Sequence, residues 1–344
     1  MDIGSSRSPH RRCVALFSGM LDSILAVALV QQQGVEVHGL SYRTPFNSGQ
    51  EAWLHEAATR LGITLEMIPL GADYLQRIRY PQFGFGRGAN PCLDCRLVWL
   101  RDAAQRVQRG EADFVITGEV LGQKAFGQKR RDLLRLSLHS GLGERLVRPL
   151  SARRLPETEV EQLGWLDRQQ LGEHSGSSRS ELLREGARSG WTDAPSCGNC
   201  CRLIEPGYAA KVEDLWAHGG RPSTWDFRLL NGGRHYRLSG TAKLVVAHNA
   251  AESEWLMAMS DDGLASPSVL LEPASFTGPT GLLIGPPLPR HLQLAWSLIR
   301  RAARGTDERP EGWSKATGSE RQREVLPEYA PEAELLTTIS QGAK

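Results

Sequence analysis

The stretch Cys13-Val-Ala-Leu-Phe17-Ser18-Gly19-Met20-Leu21-Asp22-Ser23-Ile-Leu-Ala26 joins a short apolar run to a longer one through a small, hydroxyl-bearing turn. Cys13–Phe17 reads as a buried parallel strand, and Asp22 to Gln33 as an apolar helix stopped by Gly34. A turn of this kind offers backbone N–H groups and a helix N-terminus to an anion, which suits phosphate oxygens. Ser18 and Ser23 add hydroxyls. Asp22 adds a carboxylate, which phosphate tolerates when a magnesium ion lies between them. The same residues also suit an ordinary helix N-cap, with Asp22 or Ser18 satisfying the first donors. Spacing alone leaves both open.

Outward from that turn, strand and helix patterns alternate. Val35 to Ser41 reads as a strand, Gln50 to Leu61 as a helix ending at Gly62, and Ile63 to Leu70 as a strand. Cys92 to Gln108 is helical, Asp113 to Thr117 extended, Gln128 to His139 helical, and Leu146 to Leu150 the last strand of the series. This alternation predicts an α/β, Rossmann-like parallel sheet covered on both faces, with ligands at the C-terminal strand ends. Residues 13–155 would form this nucleotide-binding domain, after a disordered lead at 1–12. Residues 156–225, with scattered prolines and a Ser/Gly-rich stretch at Ser175–Ser180, read as a connecting region. A small α+β domain is expected over 226–287. It has a hairpin at Arg234–Leu238 and Lys243–Ala247, a helix at Ala250–Ser260 and short strands near Val269 and Leu282. Residues 288–344 read as one amphipathic helix to about Arg304 and a mobile polar tail.

The chain has 344 residues, enough for two or three domains, and its 40% apolar content can fill their cores. A formal net charge of +2 neither demands nor excludes a nucleic-acid partner. No run approaches the roughly 20 apolar residues of a membrane span, and residues 1–12 lack a signal-peptide core, so a cytoplasmic protein without a membrane partner is expected. The 6 cysteines then read as metal ligands or catalytic thiols. Cys92-Leu-Asp-Cys95 opens a helix after a glycine-rich loop, where the positive helix end favours thiolate, and Cys197-Gly-Asn-Cys200-Cys201 adds three more sulfurs. Paired C-x-x-C knuckles suit zinc, and three cysteines suit an iron–sulfur cluster with one open iron. A buried thiol pair or a redox dithiol also fits Cys92 and Cys95.

The Leu16–Ala26 run resembles the SGGxDS PP-loop of the adenine nucleotide alpha hydrolases, with Met20 where those proteins carry a second glycine. Gly118-Glu-Val-Leu-Gly-Gln123, Arg148-Pro-Leu-Ser151, Leu155-Pro-Glu-Thr158, Gly164-Trp-Leu-Asp167 and Ser175-Gly176 are similar to motifs of a PP-loop family of predicted tRNA thiolation enzymes. The resemblance implies a HUP-type fold that cleaves ATP between its α and β phosphates. Ser18, Gly19, Leu21, Asp22, Ser23, Gly118 and Gln123 would hold ATP and Mg2+. Asp22, Cys92, Cys95 and Lys124 would carry catalysis, with Lys124 or Arg130 steadying the leaving charge. It also implies a 4Fe-4S cluster on Cys92, Cys95 and Cys201. Cys197 and Cys200 are extra, and would complete the site, replace Cys201 or bind zinc.

Gln123-Lys-Ala-Phe-Gly-Gln128 departs from that family's GQRPMSQ, keeping the outer glutamines. Lys124, Lys129, Arg130, Arg131 and Arg135 make a basic stretch that fits pyrophosphate, RNA backbone or a solvated helix face. Trp225 to about Pro287 resembles the NFACT-R-like RNA-binding module through Tyr236-Arg-Leu, Lys243-Leu-Val-Val and Asn249, with Ala247-His248-Asn249 in place of Gly-Arg-Asn. The expected function is ATP-dependent thiolation of a tRNA uridine, releasing AMP and pyrophosphate. Sulfur would come from sulfide or a cysteine desulfurase, and a homodimer is an allowed assembly. Two alternatives stand beside it. One is adenylation of a small molecule or free base. The other is a non-catalytic RNA-binding metal protein, motivated by Met20, Lys124–Gly127 and His248.

Overall fold

The structure is a computed structural model that describes residues 11–47, 51–195, 201–263, 265–303 and 310–339. It divides into two compact units, one of residues 1–87 and 91–200, the other of residues 88–90 and 201–344.

The first unit is built on β1 (Arg12–Leu16), α1 (Leu21–Gln31), β2 (Glu36–Arg43), α2 (Glu51–Leu61), β3 (Thr64–Pro69), α3 (Ala72–Arg79), α4 (Cys92–Gln108), β4 (Phe114–Thr117), α5 (Arg130–Ser140), β5 (Leu146–Val147), α6 (Glu159–Gln162) and α7 (Ser180–Arg188). The five strands run parallel in the order β3-β2-β1-β4-β5. Strand alternation sorts side chains between two cores. Cys13, Ala15 and Phe17 of β1 and Phe114 and Ile116 of β4 face the core that holds α1, α2 and the segment from Leu150 to Trp191. Val14, Leu40 and Val115 face the opposite core with Leu93, Leu97 and Leu100 of α4 and Leu136 of α5. Burial on both faces explains why β1 reads as a continuous apolar run. The strand order reverses direction between β1 and β4, and that switch point is where open α/β sheets take ligands.

The second unit contains α8 (Pro206–His218), α9 (Thr224–Leu229), β6 (Arg234–Arg237), β7 (Lys243–Val246), α10 (Ala250–Ser260), β8 (Ser268–Pro273), β9 (Gly281–Ile284), α11 (Pro289–Ala302), β10 (Glu311–Ala316) and β11 (Gln322–Val325). Its antiparallel sheet has the order β11-β10-β8-β9-β7-β6. Leu244, Val246, Leu271 and Leu283 pack on Trp296, Leu298 and Ile299 of α11. Val245, Leu270 and Leu282 pack on Trp225, Leu256 and Met259.

Three expectations are corrected. β5 stops at Val147, because Pro149 has no N–H for a ladder and opens a 3-10 turn, Pro149–Arg154. The helix α3 was not anticipated. The polar tail is not a loose end over its described residues. Its strands β10 and β11 extend the sheet from β8. Gly312 lets Trp296 approach, since a Cβ there would lie 2.4 Å from the indole, and Leu326, Ala330 and Ala333 join the α11 core. β11 forms the sheet edge with the charged sequence Gln-Arg-Glu-Val, which discourages pairing with other strands.

Candidate functional site

The turn after β1 closes on itself. Ser18 Oγ lies 3.2 Å from Ser23 Oγ, and the Ser23 hydroxyl donates to Met20 O at 2.8 Å. Gly19 sits at φ +70, the left-handed region that its missing side chain permits, and its carbonyl accepts from Trp53 Nε1 at 2.7 Å. Trp53 meets Trp191 edge-on, and the Arg60 guanidinium stacks 3.9 Å from the Trp191 ring centre. Leu21 is buried, and its N–H donates to Pro195 O at 3.0 Å.

Gly118, at the end of β4, meets this turn directly. A Cβ there would lie 2.6 Å from Ser23 N and 2.8 Å from Asp22 O, so only glycine allows the two loops to touch. The next residue, Glu119, is 7% exposed and accepts from two arginines, Arg96 Nη1 at 2.6 Å and Arg148 Nε at 2.9 Å. Burial alone would push its carboxyl pKa up. The two guanidiniums and their hydrogen bonds outweigh that and hold it below the ordinary value. Arg96 is the residue one helical turn after Cys92. Burial opposes its charge, but Glu119 and the nearby Cys92 raise its pKa. Arg96 thus pairs with the loop that touches Ser18–Ser23 and feels the charge of Cys92 one turn before it.

Cys92 is the first residue of α4 and is half-buried, while Cys95 is buried with the Tyr74 hydroxyl 3.1 Å from its sulfur. Asp94, between them, accepts from the N–H groups of Gln82 and Phe83 at 2.7 and 3.1 Å and so fixes the loop before the helix. Cys201 belongs to the second unit, where it precedes a 3-10 turn, Arg202–Ile204. Cys197 and Cys200 lie outside the described residues. Among the described residues no three Cys, His, Asp or Glu side chains gather as a metal set.

Asp22, expected to bridge phosphate through magnesium, pairs with an arginine. Both carboxylate oxygens accept from Arg179, at 2.7 and 3.1 Å. Arg179 caps the start of α7, and no sequence signal marked it beyond its place in the Ser/Gly-rich run. That run is tied to the Gly118–Gln123 loop. Gly176 N donates to Leu121 O at 2.7 Å, Leu121 bridges Ser175, and Ser151 Oγ connects Leu121 N to His174 O. Both amide atoms of Gln123, and Oε1 of the buried Gln128, are enclosed without a hydrogen-bond partner among the described residues. Enclosed amides of this kind ordinarily find a partner, so they suit a polar ligand at this loop. Lys124 is half-buried and forms no ion pair with another described residue, whereas Arg130 donates to Arg154 O at 2.7 Å. The sequence missed Arg96, Glu119 and Trp53 as site residues as well as Arg179.

In the second unit, His248 and Asn249 act as a helix cap. Asn249 accepts from Glu252 N at 3.0 Å, and His248 Nδ1 lies 2.7 Å from Glu252. Lys243 is 5% exposed, 3.8 Å from Asp214.

Residues 233–332 match the family described as NFACT protein RNA binding domain. Among curated proteins, the tRNA-specific 2-thiouridylase MnmA of Syntrophotalea carbinolica is 29% identical over 187 residues, covering 46% of this chain and 52% of that protein. The protein of the same name from Pelobacter propionicus is 35% identical over 113 residues, covering 29% and 31%. The chain spans about half the length of the first of these relatives and a third of the second. Among solved structures, a 4-thiouridine synthetase–RNA complex with bound ATP matches at TM-score 0.37 and 19% identity, covering 56% of this chain and 45% of that one. A score that low locates neither a site nor an activity. Over the matched residues the chain is therefore similar to tRNA-specific 2-thiouridylases, and residues 233–332 match the NFACT protein RNA binding domain.

Proposed function

We propose that the chain uses ATP to adenylate a uridine carbonyl of tRNA and then replaces that oxygen with sulfur. The observation that carries this reading is the close approach of Gly118 to Ser23 and the pairing of Glu119 with Arg96, one helical turn after Cys92. It couples a nucleotide-type turn to a sulfur nucleophile. The uridine oxygen attacks the α-phosphorus, and pyrophosphate leaves with the electron pair of the broken P–O bond. A sulfur nucleophile then attacks the activated carbon, and AMP departs with the former uridine oxygen. When the sulfur arrives as a persulfide on Cys92, the Cys95 thiol attacks Cys92, releases the thiocarbonyl and leaves a disulfide for an external dithiol to reduce. Ser18, Gly19, Leu21, Asp22, Ser23, Gly118 and Gln123 are the proposed nucleotide residues, with Lys124 as the charge partner of the leaving group. The region similar to an RNA binding domain supports tRNA over a free base as substrate.

The version with a 4Fe-4S cluster requires Cys201, Cys197 or Cys200 to join Cys92 and Cys95. Among the described residues no three Cys, His, Asp or Glu side chains gather, and Cys197 and Cys200 lie outside them. Anaerobic reconstitution with iron and sulfide tests it directly. A brown protein with about four irons per chain supports the cluster, and a colourless, zinc-only protein refutes it.

The main test supplies the full chain with ATP, unmodified tRNA, a cysteine desulfurase with cysteine, and a dithiol, and reads pyrophosphate and AMP by chromatography and thionucleosides by mass spectrometry. Pyrophosphate and AMP release that depend on tRNA are expected, and Cys92→Ser should abolish thionucleoside and AMP release while leaving pyrophosphate formation. AMP formation indifferent to tRNA favours a small-molecule substrate. No nucleotide binding at all favours the non-catalytic RNA-binding reading, which the protein's own use of the Met20, Leu21 and Ser23 amides also supports.

A further inference from the structure

We propose that Arg179 is the residue that receives the ATP polyphosphate, and that Asp22 holds its guanidinium in reserve until the nucleotide arrives. This rests on the ATP-using reading above and names a residue of that same site.

The turn after β1 has spent much of its donor capacity on the protein itself. Met20 N donates to Ser18 Oγ at 3.4 Å, Leu21 N to Pro195 O at 3.0 Å and Ser23 N to Met20 O at 2.9 Å, while the Ser23 hydroxyl also donates to Met20 O. Met20 further replaces the glycine that would let a phosphate approach the backbone. A polyphosphate at this turn meets few amides and one carboxylate, Asp22, in the first turn of α1. A nearby cation is required for binding to be favourable, and Arg179 is the cation the fold supplies.

Its position does not depend on Asp22 alone. The segment before it is pinned by Gly176 N to Leu121 O at 2.7 Å and by the Leu121–Ser175 bridge. The helix after it rests on α1 through Gly186, where a Cβ would lie 2.6 Å from Leu21 Cδ1. Arg179 is thus held from both sides over the turn. It uses only Nη1 and Nη2 on Asp22, and its buried Nε has no partner among the described residues. A guanidinium carries five N–H donors in a planar fork, so three remain for phosphate oxygens. With side chains 17% and 16% exposed, the pair sits at the surface of the site rather than sealed beneath it. Transfer of the guanidinium from Asp22 to phosphate exchanges one charge-assisted hydrogen-bond pair for another. It also frees the Asp22 carboxylate for the cation that accompanies ATP.

The test is calorimetric, on the full chain, with ATP, pyrophosphate and AMP as separate ligands. Arg179→Met should weaken ATP and pyrophosphate binding by about tenfold or more and AMP binding by less than about twofold. Arg179→Lys should recover part of the loss, since a point charge replaces a fork. Asp22→Asn releases the guanidinium, and without magnesium it should tighten pyrophosphate binding. A merely structural pair would give the opposite result, because breaking it loosens the turn. Equal losses for ATP and AMP in Arg179→Met, or weaker pyrophosphate binding in Asp22→Asn, overturn the inference alone. If Arg179→Met does not fold, Asp22→Asn still decides. Failure of the unmodified chain to bind ATP overturns the functional reading and this inference with it.

Discussion

Replacing Glu119 with glutamine is the sharpest probe of the first unit. The change keeps the shape of the side chain and removes its charge. Glu119 is 7% exposed and Arg148 5% exposed, and the Arg96 side chain is nearly as enclosed. A neutral amide offers one acceptor oxygen to two guanidiniums and turns its NH2 donors toward the other, so at least one buried cation loses its counter-charge. Breaking a buried ion pair from one side costs about 3–5 kcal/mol. Arg148 retains its bonds to Leu133 O and Ser137 Oγ, at 2.9 and 3.0 Å, which argues for the lower half of that range. With an m-value of about 2 kcal/mol/M in urea, the unfolding midpoint of the first unit should fall by roughly 1.5–2 M. Trp53, Trp99, Trp165 and Trp191 report on that unit by fluorescence, though Trp residues of the second unit must be separated by their own transition. The carboxyl is held below its ordinary value, so its stabilising effect is present above about 4.5 and is lost as the pH falls through the folded value. Glu119→Gln should therefore also flatten the acid limb of the stability curve. A loss below about 1 kcal/mol at neutral pH would falsify the view that this carboxylate neutralises two buried arginines.

Other outcomes follow from single contacts. Gly118→Ala should abolish nucleotide binding at little cost to the rest of the sheet, because its Cβ meets backbone atoms of Asp22 and Ser23 that cannot step aside; unchanged binding sinks that assignment. Burial brings the Lys243 pKa down to about 7, with Asp214 opposing and Arg237 and Lys211 reinforcing. Between about 7 and 10.5 the unfolded chain binds the extra proton, so stability of the second unit should rise with pH over that window and stay level in Lys243→Met; denaturant midpoints across the range check this. The His174 pKa is raised by its bond to Glu185 against partial burial, with Glu181 adding to it. Its contribution is complete below 6.5 and lost as the pH rises through the folded value, so thermal melts should decline across that interval in the native chain and not in His174→Gln.

Local chemistry was legible wherever neighbouring residues decide it. Gly34 and Gly62 stop their helices at positive φ, Cys92 opens α4 directly after Pro91, and Ala250–Ser260 begins at its Asn249 cap. The alternation of β1 between two cores was visible as an unbroken apolar run. What the sequence hid depends on contacts between distant positions. Arg179 carries no periodic signal, and its partner Asp22 lies in another motif altogether. Glu119 was readable as a motif letter, but the pairing of its charge with Arg96 and Arg148 was not. The tail misled for a different reason. Its polar composition suits an exposed sheet edge as well as a loose chain, and only Gly312 against Trp296, with Leu326, Ala330 and Ala333, separates the two.

The Asp22–Arg179 pair also sets an order on biosynthesis. The partners are 157 residues apart, and Leu21 waits still longer for Pro195. At translation rates of about 5–20 residues per second, the aspartate leaves the ribosomal tunnel roughly 8–30 s before its arginine. In the last part of that interval, once Val147 has emerged, all five strands of the sheet are made while the carboxylate still stands without its arginine. With Arg179 in its proposed role, a nascent chain of this protein passes through a stage that has its sheet but lacks its polyphosphate cation, which arrives only when the Ser/Gly-rich segment emerges.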